Sequence, residues 1–415
     1  MRKVEIMAPV GSFESLQAAI QAGADSVYFG IEQLNMRARS SINFSLEDLR
    51  EIKTRCAAHG IKTYLTLNTI LYDHDINLMK SIIKAAKDAD VDAIIAMDQA
   101  AIMYAKEVGL TVHLSTQINI TNVEALKFYA HFADVAVLSR ELTLKQVKTI
   151  CEEVEKQQVK GPNGELMRIE VFVHGALCMA VSGKCYLSLH THNSSANRGA
   201  CKQNCRRSYE VKDDQGNELL IENEYIMSPK DLCTVNFLDK IIETGVSVLK
   251  IEGRSKGPDY VYATVSAYAK ARDAALAGTF TPQLGKELME ELDKVYNRGF
   301  WGGYFLGKEL GEWTDSDGSK AKRRREFVGN GVKYFPKIGI GEFRLRTGKL
   351  TKGDKIMITG PTTGIFEMEV GEMRVDDRVV ESVGPNVSFS MATPEKVRAS
   401  DKVFRIIELH EIAES

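Results

Sequence analysis

A chain of 415 residues is longer than one hydrophobic core usually serves, so two domains, one of them large, are expected. With 44% hydrophobic and 27% charged residues it can bury a sizeable core under a solvated surface, and no apolar run reaches membrane-spanning length, which excludes a disordered or membrane-spanning chain. A formal net charge of -2 excludes a uniformly basic nucleic-acid binder while leaving room for local basic patches.

The N-terminus, Met1-Arg-Lys-Val-Glu-Ile-Met-Ala-Pro, turns polar before a signal-peptide apolar region forms, so a cytoplasmic location with no membrane partner is the expectation. From there short β-branched runs alternate with amphipathic stretches of helical length, the pattern of repeated βα units around a parallel sheet. The predicted strands are Val4–Ala8, Ser26–Gly30, Lys62–Leu67, Ala93–Met97, Val112–Thr116, Val135–Ser139, Ile169–Val173 and Val248–Glu252, with helices such as Phe13–Ala22 and Leu46–His59 between them. Eight strands favour a closed TIM-like (β/α)8 barrel. An open doubly wound sheet is the rival, but no GxGxxG follows the first strand. Barrels carry their chemistry at the C-terminal ends of the strands, where this sequence puts Asn68, Asp98, Gln117, Arg140, His174 and Glu252, with Arg37 and Arg39 in the loop after the second strand. Glu170 falls within a strand and reads equally as an inward structural carboxylate paired with Arg or Lys.

The barrel is expected to span residues 1–319, with an insertion at about 175–225. Residues 320–329 then read as a basic linker through Lys320, Lys322, Arg323, Arg324 and Arg325, either a solvated hinge or a contact to RNA phosphates. From about Asn330 to residue 415, short strands punctuated by glycine predict a small all-β, barrel-like domain.

The chemistry concentrates between Glu170 and Arg207, where Cys178, Cys185, Cys201 and Cys205 are separated by six, fifteen and three residues. Clustered cysteines in a reducing compartment are more often metal ligands or redox groups than disulfides. Four thiolates supply one ligand to each iron of a 4Fe-4S cluster, and a long irregular insertion can fold around such a group. The spacing itself fixes no metal. Structural zinc uses paired short knuckles, which only Cys201 and Cys205 match. Arg198, Lys202, Arg206 and Arg207 either offset the negative charge of a thiolate-ligated cluster or simply solvate the loop. Cys56 and Cys151 fall in helical patterns, and Cys233 lies in a predicted helix start. None of the three is assigned to the cluster.

The run Glu170-x-Phe-x-x-Gly-Ala-Leu-Cys178-x-x-x-x-Ser-Gly-x-Cys185-x-x-Ser188 resembles the signature of the collagenase-like peptidase family. Asn197-Arg-Gly-x-Cys-x-Gln-x-Cys205-Arg, Ser228-Pro-Lys-Asp-Leu and Lys250-Ile-Glu-Gly-Arg254 are similar to further blocks of it. Ala8-Pro-Val-Gly-Ser, Asn35-Met-Arg-Ala-Arg39 and Asn297-Arg-Gly-Phe-x-x-Gly-Tyr304 resemble others, and the C-terminal region is similar to the extension of the longer bacterial members. The resemblance covers most of the barrel. It implies that the four cysteines hold a 4Fe-4S cluster delivered by iron–sulfur assembly machinery, because the family includes RNA hydroxylases and ubiquinone-ring hydroxylases. The layout is most similar to the prephenate-dependent branch that forms 5-hydroxyuridine at the wobble position of transfer RNA. On that reading Arg37, Arg39 and Arg254 bind the carboxylates of prephenate, since arginine forks suit carboxylates, and His174, Glu252, Asn68 and Gln117 form the polar catalytic face. Lys320, Lys322 and Arg323 to Arg325 then hold the tRNA while an unstacked base enters the barrel mouth.

Two other classes stay open. A peptidase would need a nucleophile, and a cysteine paired with His174 or His113 is the one that can be drawn; no His-Glu-x-x-His or Gly-x-Ser-x-Gly motif is present. A non-catalytic RNA-binding protein with a structural cluster would use the β domain and the basic run alone.

Overall fold

The computed structural model of the chain describes residues 3–38, 43–210, 225–307, 311–316 and 318–409. Arg39 lies outside them.

Eight parallel strands close into a barrel: β1 (Glu5–Pro9), β2 (Ser26–Phe29), β3 (Lys62–Leu67), β4 (Ala93–Ala96), β5 (Val112–Leu114), β6 (Val135–Val137), β7 (Arg168–Gly175) and, after the short β8 (Asp231–Cys233), β9 (Val248–Ile251). Closure is explicit in the register, because β9 pairs in parallel with β1 at Ile6↔Leu249 and with β7 at Val171↔Leu249. The rival open sheet is thereby excluded. The strands read as near-continuous apolar runs because both faces are covered, by helices outside and by packed side chains inside. Alternate residues such as Ile6, Val27, Phe29, Leu65, Leu67 and Ile94 join the helix-facing core, whereas Met7, Tyr28, Tyr64, Ile95, Val135 and Val248 form a separate cluster within the barrel.

Helices follow the strands as expected from their apolar spacing. The helix Ile76–Asp88 buries Met79, Ile82, Ile83 and Ala86, one stripe at helical period. Leu144–Lys156 opens with a capping box in which Thr143 caps Gln146 and the Gln146 side chain accepts from the Thr143 backbone, so two orphan amides are satisfied at once. The segment foreseen as helix from Leu46 is helical over Asp48–Ala57. Cys233 corrects a prediction: it ends strand β8, whose backbone runs antiparallel to the end of β7 at His174↔Cys233, rather than starting a helix.

The basic run is also not a linker. Arg323 begins a strand of thirteen residues, Arg323–Phe335, which pairs antiparallel with Lys402–Glu408 and with Ile340–Leu345. Its first four residues, Arg323 to Glu326, are all charged, and carboxylates from neighbouring strands answer the charge. Arg323 bridges Glu408 at 3.0 Å and Glu367 at 3.1 Å. Register shifts after Phe327 and Gly331 let the strand bend through the domain; a Cβ on Gly329 would lie 2.3 Å from the Arg344 carbonyl oxygen, so only glycine fits there. The C-terminal region is an eight-stranded antiparallel sheet with an added two-stranded one, packed around its own apolar cluster, which includes Val328, Phe343, Ile356, Ile358 and Phe389. It docks on the barrel through the helix Phe13–Gln21. Ala18 packs with Met357 and Ile365, and the Gln21 amide donates to Thr363 O at 3.1 Å and accepts from Ile365 N at 3.0 Å.

Candidate functional site

At the C-terminal ends of the barrel strands lies a cavity of about 250 Å³. Cys178, Cys185, Cys201 and Cys205 all line it, and so do Arg37, Asn68, Gln117, Glu252 and Arg254. Of the six residues expected at strand ends, two are not on its wall. His174 is 1% exposed and boxed by the rings of Tyr260, Tyr268 and Phe300, and burial pushes its imidazole down to about 3, so it is a neutral packing residue. Asp98 caps the helix after β4 through Ala100 N at 2.9 Å and accepts from Leu71 N at 3.0 Å. A register shift between Phe172, which lines the cavity, and His174 turns the end of β7, so the two do not share a face, and Asp98 lies past the end of β4 at the start of the next helix.

The cysteine-bearing insertion is held from several directions. Arg198 forks onto Asp75 at 2.6 and 3.2 Å, donates to Ile70 O at 3.0 Å and stacks over Tyr72, which ties the insertion to the loop after β3. That arginine is therefore a tether. Gly199 adopts φ +78, and a Cβ there would sit 2.3 Å from the Asn35 carbonyl oxygen, so the loop after β2 and the insertion meet backbone to backbone. Ser188 Oγ accepts from Lys202 N at 3.0 Å, and Gln203 N donates to Cys201 Sγ at 3.4 Å. All seven cysteines are free thiols; Cys56, Cys151 and Cys233 are buried away from the cavity. Burial raises the Cys205 thiol, Arg206 opposes that, and Cys178, Cys201 and Cys185 raise it further, so the other three sulfurs lie within reach of the Cys205 charge. Among the described residues, no three Cys, His, Asp or Glu side chains converge as ligands of a single metal ion.

Glu252 lines the same cavity as the thiols. Arg37 bonds its Oε1 at 2.5 Å and the Tyr28 hydroxyl donates to Oε2 at 3.1 Å. Burial works to raise this carboxyl, but Arg37, Arg140 and Arg254 overcome it and hold the group down at about 2. Arg254 itself is fully enclosed, donating to Thr66 Oγ1 at 2.8 Å and Asn35 Oδ1 at 3.1 Å, and burial lowers it to about 10. Asn68 accepts from Met36 N at 3.2 Å and donates to Ser115 Oγ at 3.3 Å, while Ser115 Oγ donates to Gln117. These polar residues brace the loops. They leave the charged groups to face the cavity.

The wall also holds residues that the sequence reading passed over: Tyr28, Arg206, Asp231, Lys250, Lys256 and Arg298. Seven Arg or Lys residues face two carboxylates, Asp231 and Glu252, so the cavity favours anions. Lys250 pairs with the fully buried Glu170 at 2.7 Å, as foreseen for that carboxylate. Burial and the neighbouring Arg298 push Lys256 down to about 7. A signal was present in the sequence. Lys250, Glu252, Arg254 and Lys256 recur at every second position, the period of one strand face.

The basic run lies away from this cavity, and each of its residues has a carboxylate partner: Lys320 with Asp315, Lys322 with Asp293 at 3.1 Å, Arg324 with Glu326 at 2.9 Å and Arg325 with Asp259 at 2.9 Å, besides the Arg323 bridges. Arg323, Arg324 and Arg325 line a groove between the barrel helix Pro258–Leu276 and the β domain. No helix among the described residues is long and apolar enough to cross a membrane.

Comparison with known proteins brings a family into view. The model of peptidase family U32 matches residues 11–315. A protein of Porphyromonas gingivalis named collagenase is 58% identical over 97% of this chain and 97% of its own length. The tRNA hydroxylation protein P1 of Bacillus subtilis is 34% identical over 87% of this chain and 84% of its own. A 23S rRNA 5-hydroxycytidine synthase of Escherichia coli is 31% identical over 92% of this chain and 55% of its own.

Proposed function

Starting from the fact that this chain belongs to peptidase family U32, we propose that it is an iron–sulfur-dependent RNA hydroxylase that forms 5-hydroxyuridine at the wobble position of tRNA, with prephenate as cosubstrate. The observation that carries the reading is that four free thiols line one cation-rich cavity at the barrel mouth. Four soft sulfur donors on an irregular loop suit a 4Fe-4S cluster, and the arginines around them suit its net negative charge. Bound there, such a cluster supplies electron transfer or a Lewis-acidic iron.

The chain's own residues then have definite tasks. Cys178, Cys185, Cys201 and Cys205 would hold the cluster, supplied by iron–sulfur assembly machinery. Arg206 sits against Cys205 and offsets its charge. Arg37 and Arg254 keep Glu252 ionised, and the surplus of cations draws a carboxylate-bearing cosubstrate into the cavity. Asn68 and Gln117 order the loops that frame the mouth. Lys322 and Arg324 are more than half exposed, and their surface ion pairs contribute only about 0–1 kcal/mol each, so RNA phosphates can replace the carboxylates they now meet.

The collagenase name of a 58% identical relative keeps peptide hydrolysis as the second reading. Against it, no histidine among the described residues lines the cavity, and both His174 and His113 are buried with their imidazoles lowered to about 3, so a cavity thiol has no described base of that kind beside it. Protein purified without oxygen is expected to contain about four irons and four acid-labile sulfides per chain and to bleach in air. Deleting the gene should remove the mass of one oxygen from the wobble uridine of a subset of tRNAs. Unchanged tRNA masses together with peptide cleavage by the pure protein would reject hydroxylation in favour of the peptidase.

A further inference from the structure

Most cations on the cavity wall have their charged ends taken up by groups of this chain. Arg37 is bonded to Glu252, Arg254 to Asn35 and Thr66, Lys250 to Glu170, and Arg298 to Asp231. Arg206 donates to Ser228, Pro229 and Leu177, and Lys256 lies over the Tyr296 ring. Arg140 differs. Its Nη1 donates to Ala176 O at 2.8 Å, its guanidinium carbon stacks 3.8 Å from the Phe172 ring centroid, and its buried Nε has no hydrogen-bond partner among the described residues. A buried cationic donor left unpaired is costly, more so than an unpaired neutral group. Three further buried atoms on the same wall, Thr116 Oγ1, Asn197 Oδ1 and Asn204 Oδ1, also lack partners.

We propose that Arg140 is the carboxylate-binding residue of this cavity, holding one carboxylate of a small organic acid beside the Phe172 ring, between Glu252 and the Cys178 thiol. A planar guanidinium with a free edge matches a carboxylate through two parallel N–H···O bonds, which a lysine cannot reproduce. Stacking on Phe172 pins the guanidinium plane, so the fork is oriented before the ligand arrives. Arg140 senses the charges of both Glu252 and Cys178, which sets the guest next to the thiol-lined wall. The cavity volume of about 250 Å³ suits a small metabolite, whereas an RNA phosphodiester brings a polymer with it. The assignment rests on the carboxylate cosubstrate of the proposed function and moves its anchor from Arg37 and Arg254 to Arg140.

The test is calorimetric titration of prephenate into the anaerobically purified wild-type protein and into Arg140→Gln and Arg140→Lys, with iron content and affinity for a uridine-containing oligoribonucleotide measured on each. Both variants should bind prephenate about tenfold or more weakly, with iron and oligonucleotide affinity unchanged. Arg140→Lys keeps a positive charge at the site, so it serves where Arg140→Gln fails to fold. Equal prephenate affinity in wild type and Arg140→Lys overturns the role of Arg140 and leaves the cosubstrate reading standing. Loss of iron, or of oligonucleotide binding, with prephenate affinity intact overturns it too, in favour of cluster charge balance or phosphodiester binding. Wild-type protein that takes up no prephenate overturns the cosubstrate reading and this assignment with it.

Discussion

Glu252 shows how one buried residue reports on its whole neighbourhood. Its carboxyl is 13% exposed and is held at about 2 against the desolvation that opposes ionisation. A carboxyl whose folded value lies below its unfolded value of about 4.3 stabilises the fold above that value and loses the contribution as pH falls toward 2. Glu252→Gln should therefore destabilise the protein by roughly 3 kcal/mol at pH 7, because Arg37, Arg140 and Arg254 lose their common counter-charge. The difference should shrink steadily in denaturant titrations repeated between pH 5 and pH 2; a pH-independent difference would mean that packing, not charge, is lost. The cysteines divide at the same scale. Replacing Cys178, Cys185, Cys201 or Cys205 by alanine should abolish iron binding, whereas Cys56→Ala, Cys151→Ala and Cys233→Ala, whose thiols sit in the core, should retain it. Metal analysis of the seven variants decides, and an iron-free Cys233→Ala would overturn the ligand assignment.

Among the elements, the insertion between β7 and β8 depends on contacts that short sequence motifs do not announce. Arg198 anchors it on Asp75, and Gly199 lets its backbone touch the loop that carries Arg37. Gly199→Ala forces a Cβ into a carbonyl oxygen at a positive φ, so a loss of about 1–3 kcal/mol is expected. Thermal unfolding and the rate of cluster loss in air should both reveal it, since the same contact holds Cys201 and the Arg37 loop in place. Unchanged melting and unchanged air sensitivity would show that the two loops do not need each other.

For the molecule as a whole, the relevant junction is the one between barrel and β domain. A small apolar patch of Ala18, Met357 and Ile365 is flanked by Gln21, whose amide completes the edge of the strand Gly364–Glu369 with two bonds. Gln21→Ala leaves Thr363 O and Ile365 N short of a partner and should cost about 1–3 kcal/mol. Limited proteolysis should then release the C-terminal domain faster. Lys402→Ala removes only an exposed ion pair with Glu14 and should leave the cleavage rate nearly unchanged.

The periodicity of apolar residues was sufficient to place the eight barrel strands within a residue or two and to locate the change to all-β texture, because burial on two faces and burial on one leave different patterns. The cysteine spacing and the polar residues at strand ends likewise marked where the cavity lies. What the linear chain did not disclose depends on partners distant in sequence. Charge density alone made Arg323 to Arg325 look like a hinge, whereas Glu408, Glu367 and Asp259, brought in by the fold, make a strand of it. His174 resembled a catalyst by its position at a strand end, yet the aromatic rings of Tyr260, Tyr268 and Phe300 enclose it. Lys250, Glu170 and Arg140 gained their roles only when the barrel closed, since an ion pair or an unpartnered donor is a property of neighbours in space. Local propensity and burial period are written along the chain; which charges meet, and which is left without a partner, is decided by tertiary packing.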